Sequence, residues 1–158
     1  MGDEQIVMIV MIASPVFFVV CWLFAGWMMP RFMGWTRLEE LFPDRPEDRR
    51  IERFGFQALY LAKPGSTWAG MSYRGCVTLE ACETGLRVSI WKLFQPFSQP
   101  IFLPWGDIEV VTKRVTGFKM CGLKVGQPQP FTLSIIARIA RRIELATGGR
   151  FSLPDDLK

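Results

Sequence analysis

The 158-residue chain has four cysteines and fifteen carboxylates but no histidine. Without an imidazole there can be no Ser-His-Asp triad, no Cys-His pair and no His-ligated zinc or haem. Cys76 and Cys82 fall on the same side of an alternating stretch, but six residues of extended chain cover about 20 Å, too far to share one ion. No Cys-x-x-Cys occurs, so no metal is expected. Glu80 with Glu83, and Asp107 with Glu109, are the nearest carboxylate pairs. Each flanks a turn, where carboxylates are ordinary. The glycines form neither a dinucleotide fingerprint nor a phosphate-binding loop. No catalytic residue and no cofactor are expected, and binding is a better expectation than catalysis.

The elements that must position any binding surface begin with a membrane segment. From Ile6 to Met29 the only residues that are not hydrophobic are Ser14, Pro15 and Gly26. Twenty-four helical residues rise about 36 Å, against about 30 Å of hydrocarbon. The acidic start, Met-Gly-Asp-Glu-Gln, and the length of the run do not suit a cleaved signal peptide. Trp22, Trp27, Arg31 and Trp35 lie toward one end, where indole rings and basic residues anchor a span at the headgroups. All the nearby basic residues follow the span: Arg31, Arg37, Arg45, Arg49 and Arg50. The positive-inside rule puts the N-terminus outside and the rest in the cytoplasm. An odd number of cysteines beyond the span, without tight spacing, suits a reducing compartment. Ala13, Ser14, Ala25 and Gly26 are small enough to let another helix approach.

Residues 31–50 read as a juxtamembrane helix and a charged linker. Thr36 followed by Glu39 fits a capping box, and Pro43 ends the helix. Trp35, Leu38, Leu41 and Phe42 share one face. That face either lies on the membrane surface or packs on the following domain. Pro43 to Arg50 alternates charge sign without apolar residues, the pattern of a solvated linker.

Residues 51–150 read as short strands and a closing helix. Phe54–Ala62, Tyr73–Cys82, Leu86–Leu93, Ile101–Leu103, Glu109–Val115, Phe118–Val125 and Phe131–Leu133 are the expected strands, about seven in all. Lys63-Pro64-Gly65-Ser66, Glu83-Thr84-Gly85, Thr116-Gly117 and Gly126–Pro130 are the breaks between them. Ser134 is placed to cap a helix from Ile135 to Thr147, with Gly148 just beyond. Residues 151–158 are left as a tail.

Gly85-Leu86-Arg87-Val88-Ser89, followed by Pro100-Ile101-Phe102-Leu103-Pro104-Trp105-Gly106-Asp107-Ile108, resembles bacterial single-pass membrane proteins with a pleckstrin-homology-like (PH-like) cytoplasmic domain. The resemblance covers roughly residues 54–148. It implies a mainly β domain behind an N-terminal transmembrane α-helix: a bent antiparallel sheet of about seven strands capped by a C-terminal α-helix. It also implies binding of lipid headgroups, peptides or proteins. In the eukaryotic relatives a basic motif in the first hairpin grips phosphoinositides. Here Lys63 and Arg74 stand at comparable places, without the further arginine.

Three groups of binding residues follow. The charge of +4 divides into −2 before the span, 0 over residues 31–53 and +6 thereafter. Lys63, Arg74, Arg138, Arg141 and Arg142 are candidates for anionic lipid or an acidic partner. The bland alternative is solubility and a favourable helix terminus. Phe94, Phe97 and Trp105 form either a partner or membrane-insertion surface, or a fold of core over the sheet's open end. Nothing resembles a nucleic-acid reading motif. The expected function is a membrane-anchored interaction or scaffold module in a bacterial inner membrane, acting on a protein partner or the anionic bilayer surface. The alternatives are an accessory subunit of a larger membrane complex, respiratory or photosynthetic for example, and a lipid-acting enzyme or regulator.

Overall fold

The computed structural model describes residues 3–65, 70–115, 117–128 and 131–157. Ser66, Thr116, Gln129 and Pro130, named above in turns and breaks, lie outside the described residues. The chain begins with a long helix, α1 (Asp3–Met33), that runs unbroken through Pro15 and Pro30. Its stretch Val7–Met33 is long and apolar enough to cross a membrane. A helix apolar on every side has no face for water, which suits a lipid surround. Gly34 ends it with φ 83°, a left-handed turn that glycine adopts without strain. The Lys63 ammonium donates to the Phe32 carbonyl and the Arg31 guanidinium to the Trp27 carbonyl. Both accepting carbonyls belong to the last two turns of the helix.

Helix α2 (Trp35–Leu41) follows at once. Trp35 and Leu38 are fully buried in the domain core, so this face packs on the domain. The capping box does not form. Gly34 takes the N-cap position with no side-chain cap, Thr36 sits inside the helix, and the Glu39 carboxylate accepts from the Gln99 N–H at 2.6 Å.

Seven antiparallel strands form one curled sheet: β1 (Arg50–Ala62), β2 (Met71–Cys82), β3 (Gly85–Ile90), β4 (Ile101–Pro104), β5 (Glu109–Val115), β6 (Phe118–Val125) and β7 (Phe131–Ile136). Their order is β4-β3-β2-β1-β7-β6-β5. The curl comes from β1. Its register with β2 shifts three times, and Phe56 adopts φ 56° between two of the paired stretches. Bulges of this kind bend a strand and deepen its twist. Only Leu59–Ala62 of β1 pairs with β7. The result is a half-barrel whose concave side holds Leu59, Val77, Leu79, Val88, Leu123 and Leu133. The edges β4 and β5 are joined by one 3₁₀ turn, Trp105–Asp107.

Helix α3 (Ala137–Thr147) begins two residues later than the sequence pattern suggests. Ile135 pairs with Leu59 and Cys121, and Ser134 stays in β7 instead of capping the helix. β-Branched residues fit the ladder better than a helix start. Gly148 does close the helix, with φ 61°. Ile139, Ala140 and Ile143 are buried against the sheet, and Phe151, Leu153 and Leu157 fold in behind them.

The two helices close opposite ends of the half-barrel. Around α2 lie Lys63 at the end of β1, Tyr73 near the start of β2 and Phe131 at the start of β7. Around α3 lie Glu52 and Phe54 near the start of β1, while Lys119 at the start of β6 donates to Asp156 in the segment beyond α3.

Candidate functional site

The charged segment after α2 is docked on the sheet. Pro43 bridges to Ile101 and the Phe102 N–H donates to the Phe42 carbonyl, so the backbone lies along edge strand β4. Covering an exposed edge in this way blocks pairing with another chain. On the convex face, Arg53, Glu80, Arg87 and Phe102 are successive cross-strand partners from β1 to β4. Glu80 is buried and meets Arg50 at 3.1 Å, Arg87 at 3.3 Å and Arg53 at 3.5 Å. Arg87 also grips Asp44 with two hydrogen bonds, of 2.6 and 2.7 Å. That Asp44 contact is the main reason its pKa is raised further. The Arg45 guanidinium lies 5.4 Å from the Phe102 ring centroid. Asp48 accepts from both the N–H and the hydroxyl of Thr84. This row therefore acts as a clasp for the chain between α2 and β1.

The three cysteines of the β domain are held as thiols near neutral pH. Cys76, Cys82 and Cys121 are all buried. Burial is the main cause raising the thiol pKa of Cys76 and Cys82, and it pushes Cys121 up to about 12. Among the described residues no group of three or more His, Cys, Asp or Glu side chains could hold a metal ion. A concavity of about 550 Å³ lies by the turn between β4 and β5 and is lined by Phe42, Asp107, Ile108, Glu109 and Gln127 among others. A second of about 400 Å³ lies beside Trp105, Arg150 and Phe151. The first is walled by a mixture of carboxylates, amide and apolar groups.

The most distinctive surface is the loop Trp91–Pro100. The N–H groups of Phe94 and Gln95 both donate to the Trp91 carbonyl, and that of Ser98 to the Gln95 carbonyl. Gln95 and Ser98 are buried, while Leu93, Phe94 and Phe97 are 64%, 56% and 52% exposed. The usual distribution of polar and apolar residues is thus inverted. Gln95 Nε2 donates to the Tyr73 hydroxyl at 3.3 Å. Burial is the main cause raising the Tyr73 pKa, opposed by that hydrogen bond. Gln95 Oε1 is buried with no partner among the described residues.

This loop is clamped to α1. Trp22 Nε1 donates to the Leu93 carbonyl at 2.9 Å. One turn on, a Cβ added at Gly26 would stand 2.7 Å from Pro96 Cδ, so only glycine admits the loop there. The small residue at position 26 thus accommodates a loop of its own chain.

The expected site residues separate into distinct places. Trp22 is held by the loop, and Trp27 carries the Arg31 guanidinium 4.3 Å from its ring centroid. Trp35 differs from an interfacial anchor. Its ring is fully buried against Tyr73, and its N–H donates to the Gln99 carbonyl at 3.1 Å. Lys63 and Arg74 stand at the α2 end and are exposed. Arg138, Arg141 and Arg142 are on α3, at the opposite end, so the five basic residues do not form one patch. Arg142 pairs with Glu52 at 2.6 Å and Arg141 donates to the Leu157 carbonyl. Phe94 and Phe97 are together on the loop. Trp105 is elsewhere, with its ring on Phe151 and its N–H toward the Cys82 carbonyl. Phe56, 71% exposed with its ring 4.6 Å from that of Trp91, extends the aromatic surface. Sequence pattern gives no sign of it, because the bulge that turns Phe56 outward is set by strand pairing.

No family model matches the chain, and no curated protein matches it. Among solved structures it has a likeness to SsgB of Streptomyces coelicolor, in which mutations correlate to longitudinal cell division during sporulation. The identity is 12% and the TM-score 0.39, over 63% of this chain and 93% of that one. A likeness at that level bears on neither fold nor role.

Proposed function

We propose that this protein is a membrane-anchored interaction module. In this reading α1 spans a bacterial inner membrane with its N-terminus outside. The curled sheet is a PH-like domain in the cytoplasm that binds a protein partner or the anionic bilayer surface. The observation that carries the reading is the clamp between helix and domain. Trp22, Gly26 and Phe32 of α1 engage Leu93, Pro96 and Lys63 of the domain. A domain held this way presents fixed faces at a fixed height instead of swinging on a tether. Lys63, Arg74 and Lys92 at the helix end are exposed basic residues. Each well-placed one adds about 1 kcal/mol of attraction to an anionic leaflet. Binding without catalysis is part of the proposal.

The test is purification of the full chain from its membrane in mild detergent. One membrane partner at fixed stoichiometry supports the module, and its identity separates a scaffold from a subunit of a larger complex. If the full chain retains no partner, and its β domain shows no salt-dependent attachment to anionic vesicles, the proposal fails. A reporter fused after Lys158 should be active only in the cytoplasm.

A further inference from the structure

We infer that the loop Trp91–Pro100 is itself a membrane contact: Leu93, Phe94 and Phe97 enter the boundary between headgroups and acyl chains of the bilayer that α1 crosses. The inference rests on the proposed spanning role of α1 and adds a second point of attachment, one that fixes the tilt of the β domain.

The height of the loop carries the argument. About 30 Å of hydrocarbon corresponds to about 20 helical residues. Counted from Val7, where the candidate span begins, that layer ends near Gly26. Gly26 is where Pro96 touches the helix, and Trp22, one turn deeper, holds the Leu93 carbonyl. Moving the layer toward Met33 would sink the loop deeper. Moving it the other way is blocked by Asp3 and Glu4, whose carboxylates would have to enter hydrocarbon. The layer that begins at Val7 therefore brings the loop to the boundary, and a layer shifted toward Met33 would carry irregular loop backbone into hydrocarbon, where it is excluded.

The chemistry of the loop agrees with that height. Three large apolar side chains point out while Gln95 and Ser98 point in. This inversion suits a surface that meets acyl chains and not water. The turns are already formed by their own hydrogen bonds, so insertion has little ordering cost. The indole N–H of Trp22 is satisfied within the protein, as a donor near hydrocarbon must be. Irregular backbone is excluded from the lipid-exposed core, which sets the interface as the limit of depth. Lys92 folds its ammonium onto the Ser98 carbonyl, and beyond Gly26 come Trp27 at the next residue and Arg31, over the Trp27 ring, more than one turn farther out. Such amphipathic groups belong among the headgroups.

The test is depth measurement on the full chain in vesicles of phosphatidylcholine with a minority of phosphatidylglycerol. Cys21→Ala removes the exposed native thiol, and Cys76, Cys82 and Cys121 are buried. An environment-sensitive fluorophore is attached in turn at Phe94→Cys, Phe97→Cys, Val16→Cys on α1 and Leu145→Cys on α3, all at exposed positions. Lipids carrying a nitroxide near the headgroup or near the chain end act as quenchers. Labels at 94 and 97 should shift to the blue and lose most intensity to the shallow quencher. The label at 16 should respond to the deep quencher, and that at 145 to neither. If labels 94 and 97 behave like 145 while 16 stays deep, the loop inference is wrong and the anchor stands. If 16 is also in water, the anchor reading fails and the inference with it. If 94 and 97 are shielded yet insensitive to both quenchers, a second copy or another protein covers the loop, and the inference is again overturned.

Discussion

The half-barrel is closed at both ends by a helix, yet the two ends differ. At one end α2, from before the sheet, inserts Trp35 and Leu38. At the other α3, from after the sheet, inserts Ile139, Ala140 and Ile143. The α2 end is surrounded by exposed apolar residues on the Trp91–Pro100 loop. The α3 end carries arginines, of which Arg141 and Arg142 bond within the domain, beside the exposed Phe118, Ile136 and Leu145. Both plugs follow from the same need to cover an apolar interior. The difference lies outside the plugs: the exposed apolar residues of the α2 end are gathered on one loop held against α1, while those of the α3 end are scattered over β6, β7 and α3.

The largest test of this comparison concerns the plugs themselves. Trp35→Ala should cost about 3–5 kcal/mol, since it empties a large buried volume and leaves the Gln99 carbonyl without its donor. Ile143→Ala at the other end should cost about 2–5 kcal/mol. Chemical denaturation of the full chain in detergent, followed by near-ultraviolet circular dichroism, measures both. Trp35→Phe keeps most of the ring and should recover more than half of the loss. If Trp35→Ala costs less than about 1 kcal/mol, α2 is not a structural plug and the two ends are not equivalent closures.

A second substitution breaks the attachment peculiar to the α2 end. Gly26→Val introduces a Cβ that would stand 2.7 Å from Pro96. Overpacking of this kind costs about 1–3 kcal/mol, here by pushing the loop off α1. Gly55→Ala is the control, because nothing lies within 4 Å of the added atom. Hydrogen exchange should rise across residues 91–100 in Gly26→Val and remain unchanged at α3. Equal protection in both proteins would mean that the clamp does not hold the loop.

What the sequence revealed, and what it hid, divides along the same line. The hairpin of Glu109–Val115 with Phe118–Val125 was legible to the residue, because alternation and a nearby glycine are local signals. The left-handed Gly148 was legible too, and so was the apolar helix, although it runs past Ile6–Met29 to Asp3–Met33. The clasp was not legible. Asp44, Asp48 and Arg50 look like solvated charges until Arg87, Thr84 and Glu80 are brought beside them by strand pairing. Trp35 looks like an interfacial anchor for the same reason, since only Tyr73 and Gln99, distant in sequence, reveal it as core. At the loop, Phe94 and Phe97 were visible as apolar residues in a turn-rich stretch. Their outward direction depends on Gln95 turning in toward Tyr73, a choice no periodicity encodes.

A smaller contrast separates the basic residues of the two ends. Arg142 pairs with Glu52 and lies 4.9 Å from the Phe54 ring centroid, so Arg142→Ala should cost about 0.5–1.5 kcal/mol. Arg74→Ala at the other end should change stability by less than about 0.5 kcal/mol. Arg74 is exposed, with its guanidinium 3.4 Å from the Ser72 hydroxyl. Thermal denaturation of the two variants side by side decides the matter. Equal losses would show that the arginines of α3 are no more structural than Arg74 at the α2 end.

The smallest effect is one of pH and belongs to the α2 end. Glu39 has its pKa raised above the ordinary value of 4.5, chiefly because burial disfavours its charge, with the Gln99 N–H opposing the shift. A carboxyl raised in the folded state binds its proton before the unfolded chain does. Stability from this group should therefore increase as pH falls from neutral through the folded pKa, and level off below the unfolded value. Glu39→Gln keeps an acceptor for Gln99 and removes the ionisation, so that part of the pH profile should flatten. If wild type and Glu39→Gln have parallel profiles in that window, the carboxylate is solvated in the folded protein. The α2 end would then be as open to water as the surface of α3.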